Sequence, residues 1–277
     1  MTLNSWLVGK LHQTRLTRVL RASSLAPAAN WWWENYQNRA FWAALTDVQF
    51  QPPSALQETS DILPTSAAVI AENNQVTSAG DLFSSTMTSH CSTSKFQEFG
   101  YQDVYAALLS SRRQDKGVLL EIGIGHNDPN SPSGMRTSHI PGASLFGWAN
   151  YLPNFEIHGA DVRPEVLVDT ESYRTHYVDQ RNKTSLVSLA SQFREGLDII
   201  IDDGLHTPEA NANVVAAFLP LLRTGGVLVI EDILPEFNHL WESLPSSTRS
   251  GATFHFYPGA TLRGSRREGL AVFVQQS

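Results

Sequence analysis

Residues 117–125 constrain the fold of this 277-residue chain more than any other segment. They read Gly-Val-Leu-Leu-Glu-Ile-Gly-Ile-Gly, an apolar run that ends at two closely spaced glycines. Such a run predicts a buried parallel strand followed by a tight turn, where the backbone lies close to a bulky group. We expect that group to be a nucleotide.

Two kinds of nucleotide-binding turn fit this segment to different degrees. A dinucleotide turn requires G-x-G-x-x-G, but Asp128 occupies the place of the third glycine. Glu121, just before Gly123, favours a turn that binds S-adenosylmethionine, because a carboxylate at the strand end can fix the ammonium of that cofactor. The same carboxylate would repel a pyrophosphate. An ordinary strand and turn without a ligand is the alternative at this stage.

The composition is that of a soluble globular protein with one large or two small domains, since 42% of the residues are hydrophobic and 17% are charged. The net charge of −7 argues against nucleic acid as the main partner, because phosphate binding normally requires a basic surface. Cys91 is the single cysteine, which fits a reducing cytoplasm. No apolar run is long enough to cross a bilayer, so we expect a cytoplasmic protein.

Residues 1–94 are predicted to form a helical and loop-rich N-terminal region that serves as a lid or in homo-oligomerisation. Residues 1–33 are basic and amphipathic, which predicts a helix on its own domain or on a partner subunit. A membrane-surface helix and a transit peptide are the alternatives. The aromatic residues at 31–42 predict either the core of this region or a substrate or dimer surface. Residues 51–94 predict a linker or lid.

Apolar runs and helical patterns alternate regularly from about residue 95 to the end of the chain, which predicts a second domain over 95–277. Strands are predicted at 118–122, 156–160, 175–178, 197–201, 226–230, 252–257 and 269–275. Helices are predicted at 96–111, 143–151, 183–193 and 208–222. The alternation indicates an α/β, Rossmann-like, doubly wound sheet of seven strands with the last strand antiparallel.

The turn between the last two predicted strands carries Arg263, Arg266 and Arg267. We expect these arginines to form a solvated surface without a catalytic role.

Acidic and amide residues follow the second and third predicted strands, where ligands bind in open parallel sheets. Asp161 can accept hydrogen bonds from both ribose hydroxyls of a nucleoside. Asp179 and Gln180 can bind an adenine edge, although Asp179 could instead cap the helix that follows. The loop at 126–141 is long and rich in Asn, Pro, Ser and Gly, and it is a candidate lid over the cofactor turn.

Four carboxylates end the fourth and fifth predicted strands: Asp202 and Asp203, then Glu231 and Asp232. Neighbouring carboxylates repel one another unless a cation or a proton lies among them, and a divalent ion with oxygen ligands relieves that repulsion. His206 lies three residues after Asp203, and its imidazole suits a general base. The alternative is that Asp203 and His206 merely cap the next helix.

Six segments carry a resemblance to a known family. They are E-I-G-I-G at 121–125, P-G-A-S-L-F-G-W-A-N-Y-L-P at 141–153, I-H-G-A-D at 157–161, V-D-Q at 178–180, I-D-D-G-L-H at 201–206 and G-G-V-L-V-I-E-D at 225–232. The region from about 117 to 235 resembles the metal-dependent sugar O-methyltransferases of macrolide antibiotic biosynthesis, the mycinamicin type, within the class I S-adenosylmethionine-dependent superfamily. Phe146-Gly147 departs from the Arg-Met pair of that family.

The resemblance implies an S-adenosylmethionine-dependent O-methyltransferase that uses Mg²⁺ or another divalent ion and acts on a small hydroxylated substrate, a sugar or natural-product intermediate. It implies Asp203, Glu231 and Asp232 as metal ligands and His206 as the base. The residues expected to bind the cofactor are Glu121, Gly123, Gly125, Ser144, Asp161, Asp179, Gln180 and Asp202. A cephalosporin-hydroxylase-like protein of the same fold and a non-catalytic cofactor-binding partner subunit are the alternatives.

Overall fold

The structure, a computed structural model, describes residues 26–46, 80, 82–87, 100–128, 140–245, 251–259 and 268–276. The predictions for residues 1–25, for most of the linker at 51–94, for the interior of the lid at 129–139 and for the arginine turn lie outside these ranges. Within them, every helix is too short or too polar to cross a membrane.

One seven-stranded sheet organises the described chain. Its strands are β1 (Gly117–Ile122), β2 (Phe155–Asp161), β3 (Arg174–Tyr177), β4 (Leu197–Asp202), β5 (Leu222–Ile233), β6 (Thr253–Tyr257) and β7 (Gly269–Val274). Their order across the sheet is β3-β2-β1-β4-β5-β7-β6. The first five strands pair in parallel, and β7 is antiparallel to both β5 and β6. The predicted fold class is confirmed.

The register of the central strands brings their carboxyl ends to one level. Ile122 of β1 pairs with Ala160 of β2 and with Asp202 of β4. Asp202 in turn pairs with Ile230 of β5. The residue that follows each of these positions therefore lies at the same edge of the sheet. The strand order reverses at β1 and β4, where ligands bind in open α/β sheets.

Helices cover both faces of the sheet. They are α1 (Ala26–Leu45), α2 (Gln102–Leu109), α3 (Ala143–Tyr151), α4 (Lys183–Ala190), α5 (Pro208–Phe218) and α6 (Asn238–Glu242). Helices α1, α4 and α5 contribute to the core on one face, whereas α2 and α3 contribute to the core on the other. Because β1 and β4 lie between two covered faces, their sequences are largely apolar up to the carboxylate near each strand end. The exception is Asp198 at the start of β4, which pairs with Arg112 and Arg223.

Two helices end earlier than their apolar pattern predicts. Helix α5 ends at Phe218, and Pro220 lies in the short 3₁₀ turn that follows. Proline lacks the N–H group that would continue the helical hydrogen bonds. Helix α4 ends at Ala190, and the Ser191 hydroxyl donates to the Ser188 carbonyl in its last turn, 2.8 Å away. Serine side chains often compete with helical hydrogen bonds in this way.

Helix α1, from the N-terminal region, packs on the sheet domain. Phe41 is fully buried and contacts the ring of Trp241 edge-on, with the ring centroids 5.2 Å apart. Phe41 and the half-buried Trp42 therefore belong to the core beneath α5. Residues 31–33 lie within α1, but their side chains are outside the described part of the structure. The domain boundary near residue 95 stays a prediction.

A histidine pair joins the edge strand β3 to β2. Nδ1 of His158 and Nε2 of His176 are 2.9 Å apart, and the two rings stack beside Phe193. Burial lowers the pKa of both imidazoles, and the neighbouring ring of His176 lowers the pKa of His158 further. Glu156, 3.9 Å from His158, acts in the opposite direction but is exposed. The fold therefore favours the neutral form of both rings.

We predict that the free energy of unfolding decreases as the pH falls from about 7.5 to about 5.5, through the ordinary imidazole pKa of 6.5. In that range the unfolded chain binds protons that the folded histidine pair resists, so acid favours the unfolded state. The double replacement His158→Gln with His176→Gln should weaken this pH dependence, as measured by urea denaturation at both pH values. An equal pH dependence in the two proteins would contradict the assignment.

Candidate active site at the carboxyl edge of the sheet

The glycine turn after β1 lies directly beneath the loop that follows β4. The Gly123 N–H donates to the carbonyl of Ala160 at 2.8 Å, and the residue has a left-handed φ of 90°. A Cβ atom at this position would lie 2.2 Å from the backbone oxygen of Asp203. The nearest bulky group is therefore the chain's own loop, where the sequence interpretation expected a nucleotide. A side chain at Gly123 would force that loop, and Asp203 with it, away from the turn.

Glu121 is fully buried and contacts the start of α3. The Ser144 hydroxyl donates to Oε2 of Glu121 at 2.7 Å. The N–H of Gly142 donates to the carbonyl of Ile124 at 2.7 Å, which holds the start of α3 next to the glycine turn. Two of the predicted cofactor-binding residues, Glu121 and Ser144, are thus in direct contact. The returning end of the loop at 126–141 is fixed at the same place.

Asp161 fixes the turn that follows β2. Its Oδ2 accepts from the N–H of Ile124 at 3.1 Å, and its Oδ1 accepts from the N–H of Arg163 at 2.9 Å. Arg163 also lies 3.5 Å from the carboxylate of Asp128, at the start of the candidate lid. A carboxylate offers about four acceptor positions, so Asp161 retains acceptor capacity for two hydroxyl groups.

Asp179 and Gln180, in the turn that follows β3, face different groups. Asp179 forms an ion pair with Arg181 at 3.0 Å, and the side chain that caps α4 is that of Asn182. The Gln180 side chain instead binds the loop after β4: its Nε2 donates to Asp202 at 2.6 Å, and its Oε1 accepts from the N–H of Leu205 at 2.7 Å. The adenine-binding role of Gln180 stays a prediction. Because one amide hydrogen of Nε2 donates to Asp202, only the second is available for an adenine.

Asp202 anchors the loop at 203–206. Its side chain is fully buried and accepts hydrogen bonds from Gln180, from Asn211 at 2.8 Å and from the N–H of Gly204 at 3.3 Å. Burial raises the pKa of Asp202 above its ordinary value, and these donors offset only part of that increase. Each of these contacts is internal to the chain, so the predicted cofactor contact of Asp202 remains untested.

Three side chains converge above the sheet edge: Asp203, His206 and Asp232. One ligand atom from each lies within 4.8 Å of the others, so the group could hold a metal ion. Nε2 of His206 is 3.8 Å from Oδ1 of Asp203 and 3.9 Å from Oδ2 of Asp232. All three side chains are partly exposed, which leaves the group open to a ligand.

His206 and Asp232 have strained backbone conformations. Their φ angles are 52° and 54°, and they are the non-glycine residues with positive φ within the described ranges. This conformation costs about 1–2 kcal/mol for a residue with a side chain, and such strain concentrates at functional sites. In addition, Nδ1 of His206 is buried and has no hydrogen-bond partner among the described residues. Both features support a functional group at this position.

Tyr101, which precedes α2, and Tyr105 within α2 bind the acid pair Glu231 and Asp232 near the end of β5, and sequence reasoning assigned them no role. Tyr101 donates to Oδ1 of Asp232 at 2.7 Å, and Tyr105 donates to Oε1 of Glu231 in a short hydrogen bond. Burial raises the pKa of both tyrosines, and the acceptor carboxylates raise it further, so both remain protonated donors. The available sequence signal was a pair of tyrosines spaced four residues apart in the helical segment before β1.

The predicted third metal ligand, Glu231, differs from the other two in its surroundings. It is 1% exposed and lies against Tyr105, outside the group of three that converges above the sheet edge. His206, which the sequence assigned as the base alone, lies inside that group. The structure thus brings together Asp203, His206 and Asp232 and places Glu231 beneath them.

Comparisons with known proteins support the sequence resemblance. A family profile described as a methyltransferase domain matches residues 139–233. Mycinamicin VI 2''-O-methyltransferase of Micromonospora griseorubida is 34% identical over 121 residues, which are 44% of this chain and 28% of that protein. Demethylmacrocin O-methyltransferase of Streptomyces fradiae is 31% identical over 121 residues, with the same coverage. The matches thus span less than a third of each relative.

A solved structure gives the same fold. The MycE methyltransferase of mycinamycin biosynthesis, crystallised with Mg and SAH, superposes with a TM-score of 0.52 and 23% identity over 74% of this chain and 55% of that chain. Residues 139–233 therefore match a methyltransferase-domain profile, and the chain has the methyltransferase fold that the sequence predicted.

Proposed function

We propose that this protein is an S-adenosylmethionine-dependent, divalent-metal-dependent O-methyltransferase that acts on a hydroxyl of a small sugar-containing natural product. The observation that carries the proposal is the convergence of Asp203, His206 and Asp232 beside the glycine turn, at the edge where this fold binds ligands. The relatives, named for O-methylation of mycinamicin VI and demethylmacrocin, support the substrate class.

The cofactor would lie along the tips of β1 to β4. Glu121, held by Ser144, supplies a carboxylate for the ammonium of the amino-acid part. Asp161 supplies acceptors for the ribose hydroxyls, with its carboxylate already oriented by two backbone amides. Asp179 and the remaining amide hydrogen of Gln180 would contact the adenine. Gly123, Gly125 and Asp202 would shape the floor of the site.

The residues present fit a hard divalent ion. Asp203 and Asp232 offer carboxylate oxygens, the ligands that Mg²⁺ prefers, and their partial exposure leaves room for substrate oxygens. When bound, the ion would lower the pKa of a substrate hydroxyl. Glu231 is included as a third ligand on the resemblance alone, because Tyr105 occupies one of its oxygens.

The chain's own residues would position the reactants and move one proton. Glu121 and Asp161 would hold the cofactor so that its methyl group faces the acid pair, which makes the transfer effectively intramolecular. His206 would accept the proton of the substrate hydroxyl at Nε2, the nitrogen that faces Asp203 and Asp232. The methyl group would then pass in line to the hydroxyl oxygen, leaving the demethylated cofactor.

The reaction is tested directly by the mass of the product. The full chain, incubated with S-adenosylmethionine, Mg²⁺ and mycinamicin VI or demethylmacrocin as probe substrates, should add the mass of one methylene unit. The gain of an oxygen atom would support a hydroxylase-like activity and contradict the proposal. Cofactor binding without turnover on a wider panel of glycosylated substrates would support a non-catalytic partner subunit.

We predict that Asp161→Ala weakens the binding of S-adenosylhomocysteine, measured by calorimetry, by about 10-fold or more, because a hydrogen-bonded charged group contributes about 1.5–3 kcal/mol. Asp161→Asn keeps one acceptor and should have an intermediate effect. Asp115→Ala, at the opposite end of β1, is the control and should bind normally. Unchanged affinity in Asp161→Ala would overturn the ribose assignment, and binding of NAD instead would overturn the cofactor class.

We predict that Asp203→Asn and Asp232→Asn each lower both the affinity for Mn²⁺ and the rate of methyl transfer. Asparagine tolerates the left-handed backbone, so Asp232→Asn removes the charge without adding strain. Glu236→Gln, an exposed acid just beyond β5, serves as the control. A chelator should abolish activity, and Mg²⁺ should restore it. Full activity of the metal-free wild type would refute the ligand assignment.

We predict that replacing His206 lowers the rate of methyl transfer without weakening metal binding, unlike replacement of a metal ligand. His206→Ala and His206→Asn should keep Mn²⁺ and S-adenosylhomocysteine affinity but lose about 10²–10⁴ in rate, the usual contribution of a general base. The asparagine variant keeps a residue that accepts the φ of 52° and controls for backbone relaxation. A parallel loss of Mn²⁺ affinity would make His206 a ligand, and a normal rate would leave it only a structural role.

A further inference from the structure

The two tyrosines that bind the acid pair near the end of β5 lie on one face of the α2 segment. Tyr101 precedes the first residue of α2, and Tyr105 lies one helical turn later, so both side chains point the same way. Both rings are fully buried beneath the sheet edge. Each hydroxyl contacts one of two successive acids, Tyr101 with Asp232 and Tyr105 with Glu231.

The Tyr101 hydroxyl contacts Asp232 at two places. It donates to Oδ1 at 2.7 Å and accepts from the backbone N–H of the same residue at 3.1 Å. A phenolic hydroxyl can donate and accept at once, so one oxygen fixes both the carboxylate and the main chain of Asp232. With Oδ1 bound in this way, Oδ2 is the oxygen that lies 3.9 Å from Nε2 of His206.

This double contact compensates for the backbone strain of Asp232. A non-glycine residue with φ of 54° persists only where its surroundings hold it in place. Without the hydroxyl, the N–H and Oδ1 of Asp232 would both lose their partner, and the residue could relax toward an ordinary strand conformation. Because successive strand residues point to opposite faces, that relaxation would redirect the carboxylate away from Asp203 and His206.

We propose that Tyr101 is a positioning residue of the metal site, whose hydroxyl turns Oδ2 of Asp232 toward Asp203 and His206 and thereby sets the affinity for the divalent ion. The inference rests on the proposed function of this group as a metal site. Groups that orient metal ligands typically contribute 10–100-fold to metal affinity. Tyr101 lies outside the matched family profile at 139–233, so that profile does not include this contact.

The test compares the Mn²⁺ affinity of matched tyrosine variants of the full chain, measured by electron paramagnetic resonance. Tyr101→Phe keeps the ring and removes only the hydroxyl, and it should raise the Mn²⁺ dissociation constant about 10-fold. Tyr151→Phe is the control, because Tyr151 is also buried and its ring packs against Phe83, as that of Tyr105 does. It should bind Mn²⁺ like the wild type.

A second variant tests whether Tyr101 acts through Asp232. Asp232→Gly accepts the left-handed backbone but lacks the carboxylate, so it should lose at least as much Mn²⁺ affinity as Tyr101→Phe. Normal Mn²⁺ binding by either variant, or an equal loss in Tyr151→Phe, would overturn the inference. If the wild type itself does not bind Mn²⁺, the proposed metal site fails instead, and the two failures are distinguished.

Discussion

The crowding of carboxylates at one edge of the sheet is the constraint on which the rest of this site depends. Glu121, Asp161 and Asp202 lie at or beside the ends of β1, β2 and β4, and Glu231 with Asp232 lies near the end of β5. Such a cluster is unfavourable unless each charge is hydrogen-bonded or paired. The fold meets this requirement largely with neutral donors.

Each acid of this cluster has its own donor. Ser144 binds Glu121, backbone amides bind Asp161, Gln180 and Asn211 bind Asp202, and the two tyrosines bind Glu231 and Asp232. Because these donors carry no charge, they stabilise the carboxylates without cancelling the negative charge of the edge. That charge remains available to attract a cation where Asp203, His206 and Asp232 converge.

The fold could be predicted from the sequence because its signals are local. Strands β1, β4, β5 and β7 contain clear apolar runs, and parallel strands place their carboxyl ends together, so the acids were expected at one edge. The positive φ of His206 and Asp232 could not be predicted. It decides which way their side chains point, and hydrophobic periodicity carries no information about it.

The packing partners of the N-terminal region could not be predicted from the sequence either. Its aromatic residues predicted a core, but Phe41 joins the core of the sheet domain beneath α5. Tyr36 and Gln37 bind Glu209 in the first turn of α5, three residues after His206. Burial and the neighbouring carboxylate of Glu209 together raise the pKa of Tyr36 to about 12, so the hydroxyl remains a donor. A part of the chain without a recognisable motif thus supports the helix that follows the loop at 203–206.

Anomalous diffraction from a crystal of this protein grown with Mn²⁺ and S-adenosylhomocysteine would locate the divalent ion directly. We expect one strong peak within about 2.0–2.3 Å of carboxylate oxygens of both Asp203 and Asp232, with the amino-acid end of the ligand near Glu121 and its ribose at Asp161. The absence of a peak at that position while the ligand is bound, or a peak bound by other residues, would contradict this expectation.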